Sequence, residues 1–395
     1  MANSFNLNSF KVFFNSASSS GIILFSCLVL SLIVANSPLG AGFNNLLETQ
    51  IGFENDAVHL RYPIALWIND GLMAIFFLLV GLEIKREVVE GELSSPKKAI
   101  LPIICAIGGA IVPALIYSLF NHGTATAGGW GIPMATDIAF ALAVLSLLSN
   151  KVPLSLKIFL AALAIVDDLL AILVIAIFYS SALQYMNLIY AGAILAVLVL
   201  FNRLGIKNLA FYLIPGVLIW YFVHHSGIHA TIAGVLVALT LPTTADDKES
   251  PLEKLEHALT RPVNFLIIPV FALANTNIRF EPGMVEGLFT GLGMGIVLGL
   301  IIGKPIGILL ISWLSVKLKI SQLPDQAGWI HILGVGLLAG IGFTMSIFIS
   351  ILSFTDPLLV QEAKFSILIG SIISGSLGYF VLSISPKFPL PLSLR

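Results

Sequence analysis

Long apolar runs separated by short polar stretches recur from one end of the chain to the other. A run of about 17 to 25 apolar residues crosses a hydrocarbon core of about 30 Å as a helix. Helices and closed barrels are the only structures that satisfy their backbone in lipid. The pattern predicts about twelve spans, at 21–36, 64–84, 100–120, 132–148, 155–179, 186–202, 209–223, 227–241, 262–277, 291–314, 329–354 and 363–384. The stretch FYLIPGVLIWYFVHHSGIHATIAGVLVALT is divided at its polar HHSG into two short helices. The first run, GIILFSCLVLSLIVA, follows a segment with one lysine, Lys11, and precedes many others, so it reads as a retained span rather than a cleaved signal. The expected fold class is an all-α polytopic membrane protein without a separate soluble domain, a single unit over 1–395.

Basic residues provide an independent check, because Lys and Arg gather in the cytoplasmic loops of membrane proteins. With the N-terminus cytoplasmic, only Arg61, Arg279 and Lys364 fall on the opposite side and Lys304 on neither, so sixteen of the 20 basic residues collect on one side. A wrong number of spans would have scrambled that alternation. Both termini are therefore expected in the cytoplasm. The segment 242–261, with TTADDKESPLEKLEHALTR, reads as a cytoplasmic linker leading into an amphipathic helix start, with Ser250 and Pro251 suited to its cap and first turn. On the other side, ETQIGFENDAVHLRY at 48–62 has turn residues and an alternation compatible with a hairpin.

Composition agrees with the pattern. The 395 residues are 57% hydrophobic and 10% charged, with mean hydropathy +1.00, whereas soluble domains carry about 25% charged residues. The net charge of -1 offers no basic face for phosphates and excludes a nucleic-acid partner. The two cysteines, Cys27 and Cys105, lie in apolar runs as small buried hydrophobes.

What remains after the loops are set aside is a short set of ionisable groups inside apolar segments: Asp70, Asp137, Asp167, Asp168 and Lys304. Each costs about 2.5 to 3.5 kcal/mol at a helix centre on insertion scales, which makes each a candidate functional group. One lysine can neutralise one aspartate in a structural pair but not four. Carboxylate oxygens are the ligands that hard cations prefer, and burial beside a like charge favours uptake of a proton or a cation. Asp167 and Asp168 thus have the chemistry of a site with two competing occupants. Adjacent residues on a helix point about 100° apart, so the two cannot face one ligand symmetrically, which also disfavours an aspartic-protease dyad. A solute symporter of related architecture remains open, and coupled solute uptake would distinguish it.

Two spans are interrupted. The fourth, GGWGIPMATDIAFALAVL, carries Pro133 and Thr136 just before Asp137; the eleventh, HILGVGLLAGIGFTMSIFI, carries Gly334, Gly336, Gly340 and Gly342. Each is the middle of a triplet, spans 3–5 and 10–12, and the topology gives the triplets opposite orientations. Such inverted-topology repeats point to a transport site between two crossing broken helices. Asp137 is placed to compensate their positive ends and Lys304 their negative ends.

The motifs AIVDDLLAI, PMATDIAFALAVL, LLVGLEIKRE, LIIGKPIG, SGIHATIAG, KLEHAL and GIGFTMSIFI, in that form, resemble the NhaA-type sodium/proton antiporters of bacterial inner membranes over essentially the whole chain. Inverted repeats and broken helices are known features of that family. The resemblance implies a non-enzymatic, electrogenic antiporter that expels Na+ or Li+ in exchange for H+. It is expected to work by alternating access, under cytoplasmic pH control, in the inner membrane, with no cofactor beyond these transported ions. It implies that Asp168 is the main cation ligand and that Asp167 pairs with Lys304 and shares in exchange. Thr136 and Asp137 match the helix crossing. Glu83, Arg86, Glu87, Glu256 and His257 match the pH-sensing region. His229 matches a family histidine or is a packing residue, and Asp70 is a candidate for ion entry or for a helix-start role. A homodimer through the 48–62 hairpin is implied as well, within the lipid bilayer.

Overall fold

The computed structural model describes residues 7–55, 59–148, 151–180, 183–243 and 249–385, with side chains from residue 19. Residues 56–58 of the 48–62 segment, residues 244–248 of the linker, the basic residues Lys248, Lys387 and Arg395, and the side chain of Lys11 lie outside the described residues.

The chain runs through α1 (Leu7–Ala35) and α2 (Gly40–Glu48) to two strands, β1 (Gln50–Glu54) and β2 (His59–Pro63). Then come α3 (Ile64–Val89) and α4 (Pro96–Asn121), a 3-10 stretch at Ala127–Met134, α5 (Ile138–Leu147) and α6 (Leu154–Phe178). They are followed by α7 (Tyr185–Arg203), α8 (Ala210–His224), α9 (Ile232–Thr240) and α10 (Pro251–Asn275). The last four are α11 (Gly291–Lys317), α12 (Trp329–Ala339), α13 (Phe343–Ser353) and α14 (Pro357–Ile384).

Among the described residues eight helical segments are long and apolar enough to cross a membrane, or up to ten when the bent pairs that end in α2 (108°) and in α13 (46°) each count as one span. Each of the expected twelve apolar segments contains a helix, but α8 has 15 residues and α9 has 9. At about 1.5 Å per residue neither reaches across a bilayer core alone.

Local chemistry explains several element boundaries. Ser250 accepts from the Glu253 amide at 3.2 Å while Glu253 accepts from the Ser250 amide at 2.7 Å, a reciprocal cap completed by Pro251 in the first turn. The helix it starts does not stop at Pro262, where the span was expected to begin. It passes through a π turn at Val263–Ile267, which absorbs the missing N–H of the proline. Two further π turns, Trp67–Leu72 in α3 and Gly299–Gly303 in α11, hold Asp70 and immediately precede Lys304. In the two-stranded sheet Gly52 pairs with Arg61. The φ of Gly52, +123°, is one that side chains avoid, and a Cβ there would strike the Leu60 carbonyl.

The contacts divide the chain into two units. One comprises Met1–Ser26, Lys97–Asp167 and Pro282–Arg395; the other comprises Cys27–Pro96 and Asp168–Glu281, so the division falls between Asp167 and Asp168 inside α6. In the first, α11, α12 and α14 pack on one another. Gly108 of α4 and Gly307 of α11 lie back to back, each without room for a Cβ.

In the second unit α3 packs along α9, and Leu82, Leu198, Tyr212, Ile219 and Ala233 are part of its apolar core. Small residues make the α3–α9 approach possible from both sides: Gly81 meets Val235 and Ala238, and Gly234 meets the backbone of Ala74 and Leu78. Because its neighbours are backbone atoms, Gly234→Leu is expected to force the helices apart at an overpacking cost of about 1–3 kcal/mol. Thermal unfolding of the detergent-purified protein should show a clear loss of stability. An unchanged unfolding temperature would contradict this packing.

Candidate functional site

In the first unit, proline and glycine open two helices at matching places. The 3-10 stretch ends at Met134, and residues 135–137 are extended before α5; α12 ends at Ala339, and Gly340 to Gly342 break the helix before α13. Two breaks in one bundle leave backbone donors and acceptors without helical partners, and these must be met inside the protein. They are met by each other and by side chains. The Asp137 amide donates to the Ile341 carbonyl at 2.6 Å, and the Thr136 hydroxyl donates to the Ala339 carbonyl at 2.8 Å.

The Asp137 carboxylate serves two helix starts at once. One oxygen accepts from the Phe140 amide at 3.0 Å, capping α5; the other accepts from the Thr344 amide at 3.0 Å and the Thr344 hydroxyl at 2.5 Å, at the start of α13. A single negative charge thus faces two positive dipole ends. Ser371 of α14 accepts from the Gly342 and Phe343 amides at 3.2 Å each.

The negative ends find donors. Lys304 donates to the Met134 carbonyl, the last of the 3-10 stretch, and the Ser374 hydroxyl donates to the Leu337 carbonyl at 2.8 Å. The same ammonium donates to both oxygens of Asp167, at 2.8 and 2.7 Å. Lys304 is 0% exposed and Asp167 1%, and Asp168, the next residue of α6, is 3% exposed, so each of these ionisable groups is out of water. Asp168 follows about 100° further round α6. Among the described residues no three His, Cys, Asp or Glu groups converge as a resident metal centre requires. A cation here would be held by carboxylate with carbonyl and hydroxyl oxygens and water, a weak and exchangeable set.

Thr344, Ser346, Ser371 and Ser374 complete this core, and reading the sequence for charges passed over them. Their signal was hydroxyls buried in the apolar runs GIGFTMSIFI and SIISGSLG.

The second unit contains the other candidates. Arg86 Nε donates to both oxygens of Glu256, at 3.0 and 2.9 Å, and its Nη1 lies 3.0 Å from Glu87. Glu87 also accepts from the Glu92 amide at 2.9 Å. Glu83, one turn before Glu87 on α3, lies within electrostatic reach of Arg86 and Glu256. His257 is exposed, pairs with Glu249 at 3.0 Å and lies within electrostatic reach of Glu256. Lys85, not singled out from the sequence, donates to the Leu239 and Leu241 carbonyls at 2.7 and 2.5 Å and so caps the C-terminus of α9. Asp70 is buried in its π turn, 3.1 Å from His224 Nδ1 and 3.7 Å from His229 Nε2.

A family model described as "Na+/H+ antiporter 1" matches residues 11–382. The chain is 65% identical to the Na(+)/H(+) antiporter NhaA 2 of Flavobacterium johnsoniae, over 97% of this chain and 94% of that protein. It is 54% identical to the Na(+)/H(+) antiporter NhaA of Flavobacterium psychrophilum, over 94% and 95% of the two chains. To the antiporter of the same name from Shewanella sp. strain ANA-3 it is 49% identical, over 95% and 97%. With a match that spans nearly all of its length and the apolar helices of a multi-pass membrane protein, the chain belongs to the Na+/H+ antiporter 1 family.

Proposed function

We propose that the chain is an electrogenic secondary antiporter that carries Na+ or Li+ out of the bacterial cytoplasm in exchange for external H+, serving sodium extrusion and pH homeostasis. The observation that carries this reading is the adjacent buried pair Asp167 and Asp168, of which Asp167 is held by Lys304 through both oxygens. Buried carboxylates demand neutralisation, and protons and alkali cations are alternative means of supplying it.

At alkaline cytoplasmic pH the pair is deprotonated and Asp168 ligates Na+. The loaded site is then exposed to the outside, where protons displace the ion. An exchange in which the protons and Na+ moved are unequal in number carries net charge in each cycle. Protons compete better as pH falls, so transport declines when the cytoplasm acidifies. Glu83, Arg86, Glu87, Glu256 and His257 supply the further control by cytoplasmic pH, and Asp70 lies at the ion's entry. The protein sits in the inner membrane with both termini cytoplasmic, as a homodimer joined through β1 and β2.

The test is a pH-dye exchange assay in everted vesicles, with Na+, Li+ and K+ added in turn across a pH series. Dequenching by Na+ and Li+ that rises with pH is expected, as is a change of rate when the membrane potential is clamped. Dequenching by K+ alone would overturn the reading.

A further inference from the structure

Lys304 does not reach Asp167 from a plain α-helix. The turn before it, Gly299–Gly303, is a π turn, in which the Lys304 amide donates to the Gly299 carbonyl five residues back. A π turn holds about one residue more than an α turn, so it decides which way the side chains beyond it point. In a continuous α-helix Lys304 would stand about 100° away round the axis. Such turns are rare and need a local cause.

Pro305 is half of that cause. It has no amide, so the turn before it leaves one carbonyl without a helical donor whichever register it takes. In the α register that carbonyl belongs to Ile301, because the Lys304 amide serves Leu300. In the observed register it belongs to Leu300, because the Lys304 amide has gone to Gly299. Leu300 is 0% exposed, and an unmet carbonyl at membrane depth is costly.

The other half comes from α14. Ser374 Oγ lies 3.4 Å from the Leu300 carbonyl oxygen and 2.8 Å from that of Leu337. Leu337 also accepts from the Gly340 amide at 3.0 Å, so it can share a hydroxyl that Leu300 needs. Gly340 makes room for the meeting, since a Cβ there would strike both the Leu300 carbonyl oxygen and the Ser374 hydroxyl. On the other flank a Cβ at Gly299 would strike Pro133, so the π turn is seated against both interrupted spans.

We propose that Ser374 and Pro305 together select the π register and thereby aim Lys304 at Asp167 and at the Met134 carbonyl. Ser374 is a positioning residue, acting on the site through the backbone of α11. The proline makes the two registers equal in what they leave unmet, and the hydroxyl beside Leu300 tips the choice. The consequence for ion exchange rests on the transport function proposed above; the aiming of Lys304 does not.

The experiment is the double-mutant cycle of Lys304→Ala and Asp167→Asn, read as unfolding temperatures of the full-length purified protein in three backgrounds: wild type, Ser374→Ala and Pro305→Ala. In the wild type the two changes are expected to be non-additive. Ser374→Ala removes the donor, and Pro305→Ala supplies the missing amide and leaves Ser374 nothing to decide. In both, the commoner α register should return and the two changes should add. A hydroxyl that merely stabilised the fold would lower all four unfolding temperatures alike and leave the coupling as it was. Pro305→Ala carries the test if Ser374→Ala yields no folded protein. Coupling of wild-type size in either background would overturn the assignment, and so would its absence from the wild type. With Lys304 turned away, Na+-driven exchange in everted vesicles should slow about tenfold or more in both variants. A cycle that behaves as expected in a protein without sodium-driven exchange in proteoliposomes would sink the transport reading and leave the positioning standing.

Discussion

Asp168→Asn is expected to reduce Na+-driven proton exchange in everted vesicles to background while the protein still reaches the membrane. The amide has the shape of the carboxylate and keeps the helical backbone of α6, so the substitution removes little besides the charge. It leaves Asp167 with Lys304 across distances of 2.8 and 2.7 Å and leaves the Asp137 caps intact. A neutral amide neither competes for protons nor offers a hard cation the charged oxygen it prefers. Loss of exchange with normal membrane abundance would therefore locate the defect in the chemistry of the site. Full sodium-dependent exchange by this variant would remove Asp168 from the role proposed for it.

The second large effect concerns stability. Lys304→Ala leaves Asp167 without its ammonium and the Met134 carbonyl without its donor, both away from water. Removing one member of a buried pair costs about 3–5 kcal/mol, because the remaining charge has lost both water and partner. A marked drop in unfolding temperature of the purified protein is expected. Adding Asp167→Asn to it should restore a good part of the loss, since the orphan charge is then gone. If the two single changes simply add, the pair contributes nothing and the geometry described for it is wrong.

The residues differ in how far they could be read from sequence. Asp137, Asp167, Asp168 and Lys304 stood out because charge inside an apolar run is costly wherever the run ends up. Ser250 and Pro251 were legible, because a cap and first turn are a matter of consecutive residues, whereas the answering Glu253 bond came from the structure. By contrast, Thr344, Ser371 and Ser374 look like ordinary hydroxyls of apolar helices until the breaks they satisfy are in place. His224 was part of a polar interruption, and its meeting with Asp70 depends on α3 and α8 both packing against α9. His257 shows the opposite case: next to Glu256 in sequence, it pairs with Glu249 while Glu256 pairs with Arg86, since neighbours on a helix diverge by about 100°.

The sequence by itself determined the solvent, the helical class, the approximate places of the apolar segments and the small set of charges that must be explained. These follow from local properties: hydropathy over a window, the fixed rise of a helix and the few residues that break one. Only the tertiary structure decided which groups meet. Arg86 and Glu256 lie 170 positions apart, and Lys304 and Asp167 lie 137 apart. No local periodicity encodes such meetings. They arise because the two breaks and the glycine faces let helices approach closely enough that one carboxylate caps two of them and one ammonium answers both a carboxylate and a helix end.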